Sequence, residues 1–332
     1  MNFSCFKCQK KYPLNTLKYK CDCGGLFVLE NTESQKTNYK ITLGEVATPV
    51  LIREFEGLKI NLKLDYLMPT GSFKDRGALT LINQLSQLGI KEVVEDSSGN
   101  AGASIAAYCA AADIKCNIFL PENTSQGKIK QITAYGANII KVPGNRDATS
   151  AAVLKAACNI YYASHVYNPL FLQGTKSIAQ EILAQIGFPD YVFVPVGNGT
   201  MLLGVYLGFL ELGKIPKIIA VQSKNCSPIY NHFNNLPNYR AQQTLAEGIA
   251  VGTPMRMNEI IAALKNSNGE VVTVSEGEIA NYYHKLSKLG IYTEPTSSAT
   301  LAGAINYFNN KKIRPGTDAK IVIPLTGSGL KK

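Results

Sequence analysis

Three times along this chain a short apolar run stops at a cluster of glycine and small polar residues. Glu92–Glu95 runs into Ser97-Ser98-Gly99-Asn100, Val192–Val196 into Gly197-Asn198-Gly199-Thr200, and Ile321–Leu325 into Thr326-Gly327-Ser328-Gly329. The first two clusters are followed by Ala103–Ala112 and Met201–Gly213, whose small and apolar residues suit helices packed closely on a sheet. Ile218–Val221 and Ile139–Val142 have no polar face, which predicts strands covered on both sides in a parallel sheet. Strand, turn and helix repeated in this way predict an α/β chain with helices on both sheet faces. Its ligands then bind at the loops on the carboxyl ends of the strands. The 332 residues suffice for two lobes at roughly 100–200 residues per domain. With 45% hydrophobic and 17% charged residues the chain reads as globular rather than disordered.

A glycine-rich turn entering a helix presents unpaired backbone N–H groups at the positive end of a helix dipole, which suits an anion. Either cradle alone is also what an ordinary tight turn looks like. No Gly-Lys-Ser/Thr follows and neither turn reads G-x-G-x-x-G, so ATP and NAD are poor candidates. A third segment, Thr70-Gly71-Ser72-Phe73-Lys74-Asp75-Arg76-Gly77, predicts a helix capped by Ser72 with Lys74 in its first turn. A solvated lysine is the plain reading. A Schiff-base lysine is the chemical one, because two oxyanion cradles are what an aldehyde-bearing phosphate cofactor and a carboxylate substrate require.

The first 23 residues hold Cys5, Cys8, Cys21 and Cys23, spaced C-x2-C and C-x-C, the second pair followed by Gly24-Gly25. Two cysteine knuckles with a glycine pair predict a four-thiolate Zn2+ site in a ribbon-like module; reduced thiols or a disulfide are the alternatives. Four thiolates close the coordination shell, so such an ion is architectural. Cys109, Cys116, Cys158 and Cys226 lie in apolar surroundings and read as buried, inert thiols. The net charge of +10 is concentrated at the two ends: +4 over residues 1–40, +5 over 311–332 and +1 over the rest. Basic residues interleaved with Phe6, Tyr12 and Tyr19 make nucleic-acid binding by the Cys module a reading of another class, against which the near-neutral body argues. No run reaches the roughly 18 apolar residues of a membrane span, and Met1–Lys11 lacks a signal peptide's apolar stretch, so a cytoplasmic protein is expected.

Ser72-Phe73-Lys74-Asp75-Arg76-Gly77, Ser97-Ser98-Gly99-Asn100, Gly197-Asn198-Gly199-Thr200 and Thr326-Gly327-Ser328-Gly329-Leu330-Lys331 together resemble the ordered signatures of the threonine synthase family. The Cys module, Ala246-Glu247-Gly248-Ile249-Ala250-Val251 and Glu294-Pro295-Thr296-Ser297-Ser298-Ala299 extend the resemblance over nearly the whole chain. It implies a fold-type II, tryptophan synthase β-like architecture dependent on pyridoxal 5'-phosphate, two-lobed with parallel-rich sheets. The implied divisions are a zinc-ribbon-like module over 1–35, a large cofactor-binding lobe over 36–89 and 171–332, and a small mobile lobe over 90–170. Asn31–Lys40 is the expected linker between module and body.

The resemblance also assigns roles. Lys74 carries the cofactor and then moves protons at the substrate carbons; Asn100 bonds the cofactor's 3-hydroxyl. Ser97, Ser98 and Gly99 bind the substrate carboxylate. Gly197, Asn198, Gly199 and Thr200 hold the cofactor phosphate, and Thr326 meets the pyridine nitrogen, which a neutral hydroxyl leaves largely unprotonated. The implied reaction is that of a carbon–oxygen lyase acting on a phosphate: O-phospho-L-homoserine and water give L-threonine and phosphate, in a homodimer taking a small amino-acid substrate. Members of the family place a threonine and an arginine against the substrate phosphate where this chain has Ala101 and Phe171. Those departures open a second reading, a β-elimination or β-replacement enzyme on serine, threonine or an O-activated serine. Lys176, Arg146, Lys128 and His165 are the candidates to replace the missing charge.

Overall fold

The computed structural model describes residues 2–30, 39–144, 146–237, 240–312, 316 and 318–331; most of the expected linker lies outside them. Its strands, in chain order, are β1 (Phe3–Cys5), β2 (Lys11–Tyr12), β3 (Phe27–Leu29), β4 (Val50–Phe55), β5 (Leu58–Lys63), β6 (Glu92–Glu95) and β7 (Lys115–Pro121). There follow β8 (Asn138–Val142), β9 (Tyr161–Tyr162), β10 (Tyr191–Pro195), β11 (Lys217–Ser223), β12 (Glu270–Val274) and β13 (Ile321–Pro324). They form three sheets, ordered β2-β1-β3, β8-β7-β6-β9 and β12-β11-β10-β13-β5-β4. The small sheet is antiparallel. The four-stranded sheet is wholly parallel. The six-stranded sheet is parallel except for the β4–β5 hairpin.

Contacts divide the chain into two compact units. The first contains Met1–Glu45, Lys74–Gly174 and the last two residues; the second contains Val46–Phe73 and Thr175–Leu330. The sequence reading grouped Lys74 with the six-stranded sheet. Contacts group it with the four-stranded one, because helix Lys74–Gln87 buries Ala78, Leu81, Ile82 and Leu85 in the same core as Ala103, Ile105 and Ala106 of helix Asn100–Ala111. Phe3, Tyr12, Cys21 and Phe27 of the Cys-rich segment belong to that core as well.

In the second unit helix Pro295–Lys311 lies against the sheet, with Tyr307 and Phe308 packed edge-on around Phe193 and Tyr191. Its approach is so close that a Cβ on Gly303 would sit 2.7 Å from the Val221 side chain. Helix Ser177–Ile186 and helix Thr200–Glu211 pack in the same unit, where a Cβ on Gly204 would lie 2.3 Å from Thr175 Oγ1. Both contacts need the missing side chain.

Several expectations change here. Ile139–Val142 packs on both faces, Ile139 against one core and Ile140 and Val142 against another, but β8 is the edge strand of its sheet, so these residues are only half-buried and Asn138 and Lys141 are exposed. Ser72 does not cap the helix that starts at Lys74, since its hydroxyl is buried without a hydrogen-bond partner among the described residues. Cys109, Cys116 and Cys226 are buried as expected, but Cys158 is exposed in the turn after helix Arg146–Ala156.

Candidate active site

Polar groups gather at the carboxyl ends of the strands of each unit. In the first, β6 ends at Glu95 and the chain turns through Asp96-Ser97-Ser98-Gly99 into helix Asn100–Ala111. Gly99 caps that helix without a side-chain hydrogen bond, so its first N–H groups have no side-chain acceptor at the cap. Gly102 makes the turn possible: a Cβ there would lie 1.8 Å from the Ser97 carbonyl oxygen. Ser97 Oγ accepts from Gly99 N at 3.3 Å, which shapes the loop. Asn100, the first helical residue, is half-buried.

Lys74, also half-buried, has its ammonium 5.6 Å from the centroid of the Phe171 ring. Phe171 itself is fully buried, and a Cβ on Gly77 would strike its ring at 2.3 Å. The next residue after Lys74, Asp75, is buried and accepts from Ser104 Oγ at 2.6 Å, which ties the two helices together beside the lysine. Beside Phe171, at 6.0 Å and edge-on, stands the ring of His165. Its Nδ1 lies 2.6 Å from Glu95 Oε1. Tyr162 OH donates to Asp96 Oδ1 at 2.7 Å, so two side-chain ties hold the residues that lead into the turn. Burial pushes the Glu95 carboxyl well above its ordinary value, helped by Asp96 and Cys116, and pushes His165 well below its own, helped by the charges of Lys74 and Arg146.

In the second unit β10 leads through Gly197-Asn198-Gly199 into helix Thr200–Glu211. Gly199 has φ +86°, the left-handed region that glycine tolerates, and it too caps its helix without a side-chain bond. A Cβ on Gly197 would meet Val251 at 2.9 Å and Ile249 Cα at 3.2 Å, so the turn is a bare backbone surface held close to the 246–251 segment. Thr326, buried after β13, donates from Oγ1 to Glu294 Oε1 at 2.8 Å, and its N–H donates to Ser297 Oγ at 2.9 Å. Ser72, Thr293 and Ser298 each bury a hydroxyl with no partner among the described residues.

These features fit a phosphate-bearing pyridine. A bare glycine turn at a helix start accommodates a phosphate, and buried hydroxyls without partners are the places where a polar ligand's atoms are missing. The Thr326 hydroxyl thus stands between the Glu294 carboxylate and the Ser297 hydroxyl, whose Oγ lies 3.3 Å from Thr326 Oγ1. Among the candidates for a replacement cation, Lys176 is committed, being buried and paired with Glu211. Arg146 is exposed at the start of helix Arg146–Ala156. The side chain of Lys128 lies outside the described residues.

Sequence reasoning passed over Glu95 and Glu294. The signal for Glu95 is a carboxylate at the end of a strand whose neighbours are buried. For Glu294 it is an acid immediately before the proline that opens helix Pro295–Lys311.

The four cysteines predicted as ligands come together in the first unit, their sulfurs within 4.8 Å of one another. Cys5–Cys23 and Cys8–Cys21 are 3.4 and 3.5 Å apart. Those separations are near the roughly 3.8 Å edge of a tetrahedron with about 2.3 Å Zn–S bonds. Gly25 permits the cluster, since a Cβ there would lie 2.5 Å from Cys5 Sγ. A hydrogen bond from Tyr12 is the main cause that holds the Cys21 thiol down at about 6, which favours the thiolate a metal needs.

A family model described as pyridoxal-phosphate dependent enzyme matches residues 41–327. The threonine synthase of Methanocaldococcus jannaschii is 31% identical over 98% of this chain and 92% of its own length. That of a Bacillus species is 35% identical over 88% and 85%. Among solved structures, maize serine racemase superposes with a TM-score of 0.77 over 86% of this chain and 88% of its own, at 21% identity.

Proposed function

Because the chain belongs to the pyridoxal-phosphate dependent enzymes, and within them to the threonine synthase family, we propose that this lyase converts O-phospho-L-homoserine and water to L-threonine and phosphate. The observation that carries the reading is similarity to a threonine synthase over 98% of the chain, Cys segment included.

Bound pyridoxal phosphate supplies the electron sink that lets a proton leave the substrate's α-carbon. Lys74 would carry the group, and its amine would take and return protons at the substrate carbons. Asn100 hydrogen-bonds the cofactor's 3-hydroxyl. Ser97, Ser98 and Gly99 orient the substrate through its carboxylate, supported by the uncapped helix start behind them. Backbone N–H groups of Gly197, Asn198, Gly199 and Thr200 bind the cofactor phosphate, supported by the left-handed Gly199 and the bare turn. Thr326 would meet the pyridine nitrogen, where a neutral hydroxyl leaves that nitrogen largely unprotonated.

We further propose that Cys5, Cys8, Cys21 and Cys23 hold a structural Zn2+, which their separations and the depressed Cys21 support. A homodimer and a mobile small lobe rest on the family resemblance alone, while a cytoplasmic location and a separate Cys module rest on the sequence pattern. No helix among the described residues is long and apolar enough to cross a membrane.

The direct experiment loads the protein with pyridoxal phosphate, supplies O-phospho-L-homoserine, and measures phosphate and threonine, with Lys74→Ala as control. Equal release of both is expected, and none from the variant. A second reading, β-elimination or β-replacement on serine, threonine or an O-activated serine, is favoured by the buried Phe171 and the paired Lys176, neither of which offers a substrate phosphate a positive charge. Ammonia or sulfide exchange from that panel, without turnover of phosphohomoserine, decides for it.

A further inference from the structure

Glu95 and His165 come from neighbouring parallel strands of one sheet: Glu95 ends β6, and His165 follows by three residues the end of β9, its partner. The carboxyl edge of such a sheet is where α/β proteins place ligand contacts. Glu95 is wholly buried and His165 8% exposed, yet a single hydrogen bond joins them and Glu95 Oε2 has no partner among the described residues. Burying a carboxyl and an imidazole for one mutual bond is no more stable than a packed apolar pair, so packing does not account for it. Its surroundings do. The His165 ring stands edge-on to Phe171, and Phe171 lies under the Lys74 ammonium. Lys74, Arg146, Asp96, Cys116 and Tyr162 are titratable groups that interact electrostatically with the pair.

We propose that His165, oriented by Glu95, is a specificity-determining residue whose Nε2–H donates to an oxygen on the substrate's side chain. The inference rests on the reading of Lys74 and the 97–99 loop as the amino-acid site and deepens it. The 2.6 Å contact between Oε1 and Nδ1 requires one proton between them. A carboxyl protonated on Oε2 would leave that hydrogen buried without an acceptor among the described residues, so in the neutral pair the shared proton sits on Oε1 or on Nδ1, and in both forms the remaining imidazole hydrogen is on Nε2. Glu95 therefore makes His165 a donor and withholds its lone pair, so the atom it selects is an acceptor. Two oxygens share that chemistry, a phosphoryl oxygen and a hydroxyl.

The test uses the cofactor-loaded protein and reads dissociation constants from the change in cofactor absorbance as three amino acids are added. They are L-2-aminobutyrate, L-homoserine and L-2-amino-5-phosphonopentanoate, which carry no side-chain oxygen, a hydroxyl and a phosphonate. His165→Phe is expected to weaken an oxygen-bearing ligand by about tenfold or more while aminobutyrate changes by less than about twofold. Loss confined to the phosphonate identifies the phosphoryl oxygen; loss confined to homoserine identifies the hydroxyl. Glu95→Gln is expected to preserve the discrimination, because the amide donates to Nδ1 and keeps the hydrogen on Nε2. His165→Gln, which supplies a donor of its own, is expected to retain it also and decides the matter should the phenylalanine variant not fold. Equal weakening of all three ligands in His165→Phe, no weakening of any, or loss of discrimination in both glutamine variants overturns the assignment. A wild-type protein whose absorbance answers to none of the three overturns the amino-acid site itself.

Discussion

Phe171 occupies the position where the family resemblance implies an arginine, and its surroundings show why the exchange cannot simply be reversed. The ring is fully buried between Gly77 and His165. Phe171→Arg is therefore expected to bury an unpaired guanidinium and to lower stability by about 3–5 kcal/mol, with no gain in phosphate affinity. Thermal melting and phosphate titration check both halves, and a tighter phosphate constant would refute the second. Gly102 sets a second limit at this scale. Gly102→Ala places a methyl against the Ser97 carbonyl, so the loop must move. A loss of about 1–3 kcal/mol is expected, together with weaker binding of every amino acid regardless of side chain. Absorbance titrations distinguish that uniform loss from the selective one expected at His165. The motif residues Lys74, Ser97, Asn100, Gly199 and Thr326 were legible because each motif is local. The Glu95–His165 pair was not, since its partners are 70 residues apart and meet only through strand pairing.

Secondary structure was legible where one segment settles its own environment. Glu92–Glu95 and the helix after it fall where the turn chemistry puts them, and so does Ile218–Val221 within β11. β8 packs on both faces as its apolar residues announce, but they say nothing about how many neighbours the strand has, and its edge position is decided by the rest of the sheet. β12 is the other instructive edge. Partial burial pushes the Glu270 carboxyl up, but hydrogen bonds from Lys217 on β11, Lys311 on helix Pro295–Lys311 and the Tyr307 hydroxyl overcome it and hold it at about 2. A depressed carboxyl stabilises fully above its ordinary value of 4.5 and loses that contribution as pH falls toward 2. Glu270→Gln is expected to cost about 1 kcal/mol near neutrality, allowing for solvent screening, and to flatten the fall of melting temperature across that acid window. An unchanged acid limb would mean that these lysines do not stabilise the edge.

For the molecule as a whole, the repeated order of strand, turn and helix announced an α/β chain, whereas the division of its sequence between two compact units depended on which helix faces share a core. The charge asymmetry was likewise visible in advance, but not its local compensation: Lys10 and Lys18 both pair with Asp22, and Lys11 with Glu30. The Cys segment is joined to its unit through Tyr19, whose ring meets Tyr162 and Tyr167 edge-on, and through Tyr161 OH, which donates to the Leu14 carbonyl. Stripping metal with a chelator is expected to release about one zinc per chain and to raise amide exchange over residues 2–30. The cofactor absorbance should remain. Exchange that does not change on chelation would show that the segment is held by its aromatic contacts alone.

β13 lies between β10 and β5, the centre of the six-stranded sheet, although it is the last strand in the chain. During synthesis the β4–β5 hairpin and the β10–β12 strands are therefore made first, each with an open edge, and they cannot be joined until residues 321–324 emerge from the ribosome. A product released early by a stalled ribosome or a broken message carries two unpaired strand edges, the feature that invites aggregation and clearance. The order of strands in the sheet thus ties its closure to the synthesis of residues 321–324, since a polypeptide that stops short of β13 cannot pair β10 with β5 through it.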